Sequence, residues 1–374
     1  MFIRRMIDSF QWVLISQSEI LRHMYFRLKL RVTTLHPQQP DFPVFNMMFR
    51  SFLTLFSPIG FLLSFTTLFA TSSTLLWAEA EPIRTHYSTE QVSPNVYVVH
   101  GPNGFPSPAN QGFMNNPGFI LTQDGVVVID PGSSVQVGRM VLDAIDKVTD
   151  QPVVACFATH IHGDHWLGNQ AITARYPQAK LFAHPELIKQ AEGGEAQNWM
   201  DLMIQLTQGA TEGTLAVIPD QPVQDGDIMN YGEISISVHH SGPAHTDTDI
   251  ALLVSPNNVL FSGDLVFNDR VGRMDDGTYT GLATTLEALI ALSPEHVVPG
   301  HGQTEDATLL EESLRLYAGI YEVVEEKFEE GLSDYEIKPF VVERLSEFAD
   351  WGGFDESIGR LVSLAYLEVE ENNF

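Results

Sequence analysis

Cysteine is almost absent. Cys156 is the single one in 374 residues, so no disulfide can form within the chain and no cysteine-rich metal site can be built. A transition-metal site would have to use imidazoles and carboxylates, a donor set that suits zinc, iron or manganese. Basic residues are scarce as well, 20 Lys and Arg against 48 Asp and Glu, for a net charge of −28. The shortage is uneven: residues 1–80 hold seven basic and four acidic side chains, which leaves 13 basic and 44 acidic ones, or −31, for the remainder. Such a body repels phosphate backbones, so nucleic acid is not an expected partner. Long apolar runs are also few. The one at 52–77, FLTLFSPIGFLLSFTTLFATSSTLLW, carries no charge, follows Arg50 and ends at Ala78-Glu79-Ala80.

A basic flank, an apolar run and an A-x-A end mark a secretory signal. The expected layout is an N-terminal extension and signal peptide over 1–80 (the signal itself about 48–80, with Met47 or Met48 as the start), a main domain over 81–304 and a C-terminal helical extension over 305–374. The run is also long enough to stay as a membrane anchor. Under either reading the folded part is expected to be periplasmic or secreted, touching the membrane only through this segment.

Beyond residue 80 the pattern alternates. Val96–Val99, Phe119–Leu121, Val126–Ile129, Val153–Phe157 and Leu181–His184 read as strands, with an irregular Gly- and Pro-rich loop at 101–117. Residues 134–147 carry helical spacing, Trp166–Tyr176 reads as a further helix, and 185–215 as another, with Trp199, Leu202, Met203 and Leu206 on one face. Ile234, Ile236 and Val238 alternate with Ser235 and Ser237, the mark of a half-buried strand. Short strands are expected at Ala251–Val254, Val259–Phe261 and Val297-Val298, a helix at about 280–292, and acidic helices from 305 onward, one of them at about 333–348. The mixture of alternating strands and helices indicates an α/β layer protein.

The segment Thr159-His160-Ile161-His162-Gly163-Asp164-His165 sets three imidazoles and a carboxylate directly after a buried strand. His160 and His162 can point one way and Asp164 and His165 the other, which divides the ligands between two cations. A catalytic zinc needs about three protein ligands and an open position, so later strand ends must supply more. His245 after 234–240, Asp264 after 259–261 and His301 after 297–298 each lie beside small residues at the exit of an apolar run.

This pattern resembles the metallo-β-lactamase superfamily, and Asp130 in Val127-Val128-Ile129-Asp130-Pro131-Gly132 is similar to that family's first motif. The resemblance implies a four-layer αβ/βα sandwich. It implies His160, His162 and His245 on one metal, Asp164, His165 and His301 on the second, and Asp264 bridging them. Asp130 would hydrogen-bond a ligand rather than touch metal. Aspartate at 264 is similar to the hydroxyacylglutathione-hydrolase (glyoxalase II) and lactonase branches. Gly112–Asn116, His162–Asn169 and Arg273–Gly277 resemble periplasmic zinc metallohydrolases found beside quinoprotein or sulfur-oxidation systems.

The function expected from this resemblance is an exported, zinc-dependent hydrolase with two Zn (Fe or Mn as alternatives). A metal-bridging hydroxide would attack an ester, thioester, lactone or amide carbonyl, β-lactams included, with Asp164 and Asp264 as catalytic carboxylates. Phe113, Met114, Asn115, Trp166 and Arg273 are the expected substrate contacts, and Arg270 and Arg273 could hold a substrate carboxylate. Two alternatives stand beside it: a mononuclear iron enzyme of sulfur or oxygen chemistry on the same fold, and a periplasmic accessory protein that binds a redox partner. The helical tail is expected to pack against the core or against a dimer partner, which makes a homodimer a further expectation.

Overall fold

The computed structural model describes residues 81–373. The expected signal peptide and the extension before it lie outside the described residues. Among the described residues no helix is long and apolar enough to cross a membrane.

Two sheets face each other. The first has seven strands in sequential order: β1 (Thr89–Ser93), β2 (Val96–Val99), β3 (Gly118–Leu121), β4 (Val126–Ile129), β5 (Val153–Phe157), β6 (Lys180–Ala183) and β7 (Gln221–Pro222). Its first four strands pair antiparallel and the rest parallel. The second sheet runs β12 (His296–His301), β11 (Val259–Phe267), β10 (Ala251–Ser255), β9 (Ile234–His239) and β8 (Ile228–Tyr231). Strand β4 is Val-Val-Val-Ile and buried on both faces, as an apolar run without alternation requires. Strand β9 alternates buried and half-buried positions, which matches its Ile/Ser alternation.

Val127, Ile129 and Phe157 from one sheet meet Ile236, Leu252 and Phe261 from the other in a shared apolar layer. On the outer face of the first sheet, Val126 and Val128 pack on α1 (Val135–Asp146) and α3 (Asn169–Arg175). On the outer face of the second, Leu260 and Val297 pack on α6 (Tyr279–Ala291) and on the C-terminal helices α7 (Thr308–Glu329), α8 (Asp334–Arg344) and α9 (Phe354–Asn373). The order of layers is therefore helix, sheet, sheet, helix. The residues from 305 onward make most of the fourth layer.

Several boundaries differ from the sequence expectation. The single helix expected over Trp166–Tyr176 is two, α2 (Gly163–Trp166) and α3, which meet at Gly168. Gly168 lies so close to Pro131 that a Cβ there would sit 2.3 Å from the Pro131 carbonyl oxygen, and periodicity does not report such an approach. The helix expected over 185–215 ends at Leu206, as α4 (Pro185–Gln190), a π turn at Ala191–Glu195 and α5 (Ala196–Leu206). The π turn holds Gly194 at φ 127°, a conformation open to glycine. Strand β8 was not anticipated, whereas α9 falls within the helical stretch expected from 305 onward. Strand β11 continues past Phe261 to Phe267 through a register shift at Gly263, where φ is 53°.

Candidate metal centre

The residues that sequence reasoning singled out converge at one edge of the sandwich. His160, His162, His245 and Asp264 offer ligand atoms all within 4.8 Å of one another, and Asp164, His165 and His301 form a second such group. Asp264 stands between them. Its Oδ2 lies 3.9 Å from His160 Nε2 and 3.6 Å from His245 Nε2. Its Oδ1 lies 3.1 Å from His165 Nε2 and 3.3 Å from His301 Nε2. Asp164 Oδ2 completes the second group at 3.5 Å from His165 and 3.3 Å from His301.

Local backbone explains the aim of each group. The irregularity at Gly263 turns Asp264 out of the regular β11 ladder, and a bulge re-aims a side chain in this way. A Cβ on Gly263 would meet Thr159 Oγ1 at 2.6 Å, and one on Gly300 would meet Asp264 Oδ1 at 1.9 Å, so glycine at both positions makes room for the carboxylate. The loop bearing His245 is tied down by Asp249, which accepts from the Thr246 N–H at 2.7 Å and hydroxyl at 2.9 Å. Thr248 Oγ1 accepts from the Ile161 N–H at 2.9 Å and links this loop to the histidine cluster. Burial raises the Asp249 carboxyl to about 7, against the pull of these Thr246 bonds.

The far nitrogens of four imidazoles are engaged, and this sets their tautomers. His165 Nδ1 donates to Asp130 Oδ2 at 2.8 Å and His301 Nδ1 to the Met114 carbonyl at 2.8 Å. Thr159 donates its hydroxyl to Asp130 at 2.8 Å, which leaves its oxygen to accept from His160 Nδ1 at 3.0 Å. His162 Nε2 donates to Asp276 at 3.1 Å and turns Nδ1 inward, 3.1 Å from His245 Nε2. Inward lone pairs therefore face one another. His160 Nε2, His165 Nε2 and Asp264 Oδ1 are buried without a hydrogen-bond partner. Burying such atoms unpaired is costly unless something bonds them.

Charge completes the description. Burial, with the neighbouring imidazoles, lowers His160 well below its ordinary value and His245 to about 3. Burial alone would lower His165 and His301 too, but Asp264 and Asp164 raise both. Burial opposes ionisation of Asp164 and Asp264, yet the imidazoles hold both carboxyls well below the usual range. The two carboxylates thus call for positive charge between the rings.

The groups open into a cavity of about 860 Å³ lined in part by Met114, Trp199, Leu202, Phe267, Arg270 and Arg273. Phe113, Asn115 and Trp166 do not line it. Phe113 is buried edge-on against Tyr87 at 4.7 Å. Asn115 donates to the Asp130 carbonyl at 2.9 Å and holds that residue at φ 50°. Trp166 is buried and donates Nε1 to the Ile161 carbonyl at 2.8 Å. Their task is to shape the walls behind the ligands. In the sequence Asp276 stands out only within the Arg273–Gly277 motif and the α5 face only as apolar periodicity; neither signal says which side faces the site. Cys156 is a core residue whose thiol burial pushes up, with Sγ directed at Asn169. His184 and His240 stack on each other at 4.3 Å, apart from both ligand groups.

Comparison with known proteins identifies the family and the fold. Residues 110–301, just over half the chain, match the family model described as the metallo-beta-lactamase superfamily. A hydroxyacylglutathione hydrolase of Aeromonas hydrophila is 28% identical over 180 residues, 48% of this chain and 58% of that enzyme. An acyl-coenzyme A thioesterase of Bos taurus is 30% identical over 184 residues, 45% of this chain and 62% of that protein. The chain thus spans under two thirds of either relative. A metallo-beta-lactamase structure from Pontibacter korlensis superposes with a TM-score of 0.51 at 20% identity, over 62% of this chain and 99% of that one, and shows the shared fold.

Proposed function

Because this chain belongs to the metallo-β-lactamase superfamily, we propose that it is a two-cation hydrolase, with zinc as its metal, acting on a small ester, thioester, lactone or amide. The observation that carries this reading is the division of one buried carboxylate, Asp264 Oδ2 toward His160 and His245 and Oδ1 toward His165 and His301. Five imidazoles and two carboxylates with unpartnered inward atoms fit a pair of borderline cations. His160, His162, His245 and Asp264 would hold one; Asp164, His165, His301 and the second oxygen of Asp264 would hold the other. When bound, the pair would supply Lewis acidity toward a carbonyl and lower the pKa of water from about 15.7 toward 7. Asp130, Asp276 and the Met114 carbonyl fix the imidazoles that face it. No side-chain nucleophile is required: Cys156 is buried, and Ser262 donates its hydroxyl to the Val298 carbonyl at 3.2 Å. The names of the two curated relatives support acyl transfer to water.

The test is elemental analysis paired with a panel of thioesters, lactones and β-lactams, before and after chelation. Two zinc ions per chain, and hydrolysis that disappears on chelation and returns with zinc, are expected. One iron and no zinc per chain would reject the reading in favour of mononuclear iron chemistry. Asp276→Ala is expected to weaken metal retention about tenfold to a hundredfold, since it frees the outer nitrogen of His162. Chelator competition measures this, and wild-type retention would show that His162 is held by other means.

The same proposal places the enzyme outside the cytoplasm, on the strength of Arg50, the apolar run at 52–77 and Ala78-Glu79-Ala80. Protein recovered from the periplasmic fraction should begin near Glu81. A full-length chain confined to the cytoplasm would contradict it.

A further inference from the structure

The segment that precedes β1 reaches the metal centre without lining it. One buried side chain reads its backbone. Gln111, 2% exposed, accepts from the Arg84 N–H at 2.7 Å through Oε1 and donates Nε2 to the Pro82 carbonyl at 3.2 Å. Both ends of the amide are spent on backbone groups 27 and 29 positions away, as a neighbouring strand would spend its own. Tyr87 sets its ring against the edge of Phe113, and Ile83 packs on the same apolar cluster. Arg84, Thr85 and His86 are exposed. Gln111 itself is held at φ 52°, a region unfavourable for a residue with a Cβ and kept only where the surroundings fix it.

Gln111 opens a run in which successive residues grip parts of the site. A Cβ on Gly112 would meet Thr211 Cγ2 at 3.0 Å and Thr207 Cγ2 at 3.3 Å, so this residue lies against the turn that ends α5. The Gly112 N–H donates to Asn110 Oδ1 at 3.0 Å, and Asn110 Nδ2 donates to the carbonyl of Phe105, a residue of the cavity wall. Met114 lines the cavity with its side chain and accepts from His301 Nδ1 with its carbonyl. Asn116 Nδ2 donates to the Pro299 and Gly302 carbonyls at 2.9 and 2.7 Å, on either side of His301. The Met114 carbonyl is therefore secured on its C-terminal side by Asn116 and on its N-terminal side through Gln111.

We propose that residues 82–87 are a strap on the cavity. By engaging Gln111 they fix the loop 105–114, which supplies Phe105 and Met114 to the wall and the carbonyl that orients His301. Gln111 is then a positioning residue for His301, although it does not itself line the cavity. The inference is separate from the hydrolase reading and holds for any cation the centre takes.

Solvent exchange of the imidazole N–H protons tests this, read by NMR on the full chain as purified with isotope-labelled histidine. In the wild-type protein His301 Nδ1–H should exchange slowly, as should His165 Nδ1–H, which is held by Asp130 outside the loop. Gln111→Ala should speed exchange at His301 about tenfold, the scale of a lost hydrogen-bonded contact, and leave His165 within about twofold. Arg84→Pro deletes the N–H that Gln111 accepts and should give the same selective rise; it also serves where Gln111→Ala melts early. Arg84→Ala keeps that N–H and should match the wild type. Unchanged exchange at His301 in both Gln111→Ala and Arg84→Pro overturns the proposal, since Asn116 would then hold the carbonyl unaided. A rise in Gln111→Ala alone overturns it too, because the amide would act without the strap. An equal rise at His165, or one shared by Arg84→Ala, has the same force: the first marks general loosening and the second a side-chain effect. Exchange is read without substrate, so a protein that hydrolyses nothing on the panel would sink the hydrolase reading and leave this result standing.

Discussion

Asp264→Ala should lower turnover by about a thousandfold or more and reduce the bound metal to one ion per chain or fewer. Both groups of imidazoles depend on this side chain, with Oδ1 at 3.1 and 3.3 Å from His165 and His301 and Oδ2 at 3.6 Å from His245. Without it the first group keeps three imidazoles and no anion, and the second keeps Asp164 alone against two. Replacing the carboxylate by a methyl group leaves nothing to hold two like charges near each other, so retention should fail before chemistry does. Gly300→Ala reaches the same place from the opposite wall: its Cβ would lie 1.9 Å from Asp264 Oδ1 and would displace the carboxylate. Elemental analysis and steady-state kinetics decide both, with circular dichroism melts as the control for folding. Two ions per chain and wild-type turnover in Asp264→Ala would remove the shared carboxylate from the account.

Deletion of residues 305–374 should abolish soluble, cooperatively folded protein. The sequence reads this stretch as a helical extension that packs on the core or on a dimer partner, and the structure packs it on the core. Leu309, Leu310, Leu316, Tyr317, Ile320, Phe354, Ile358 and Leu361 are each at most 2% exposed, and they share one apolar layer with Leu260, Val297, Leu282 and Leu286. Full burial of one such side chain contributes roughly 1.5–3 kcal/mol, against a total stability of about 5–15 kcal/mol for a domain. Eight of them come to about 12–24 kcal/mol, which matches or exceeds that margin, and their loss would also uncover the sheet and α6. The cap on α6 would go too, because Glu368 accepts from the Tyr279 and Thr280 N–H groups at 2.7 and 3.0 Å. Soluble yield, binding of a hydrophobic dye and a thermal melt read the outcome. A truncated chain that melts cooperatively and hydrolyses the wild-type substrates would make the fourth layer an appendage after all.

The amino-acid sequence by itself determined the chemistry of the site. One cysteine excluded a cysteine-rich metal site, and the spacing from His160 to His165 pointed to a divided cation site; lone ligand residues at later strand ends supplied the rest. Strands with clean periodicity, such as β4 and β9, were legible because burial imposes a repeat on the side chains. Three things were left to the tertiary structure: which imidazole nitrogen faces inward, which cavity arginine forms no ion pair among the described residues, and which helix face looks into the cavity. Asp276 reaches His162 across 114 positions and Gly352 holds Arg270 across 82, and no local pattern encodes a contact at such separations. Trp199, Leu202 and Met203 follow the same helical repeat whether they face a core or an open cleft, so only the packing of the chain around them decided that they wall the site.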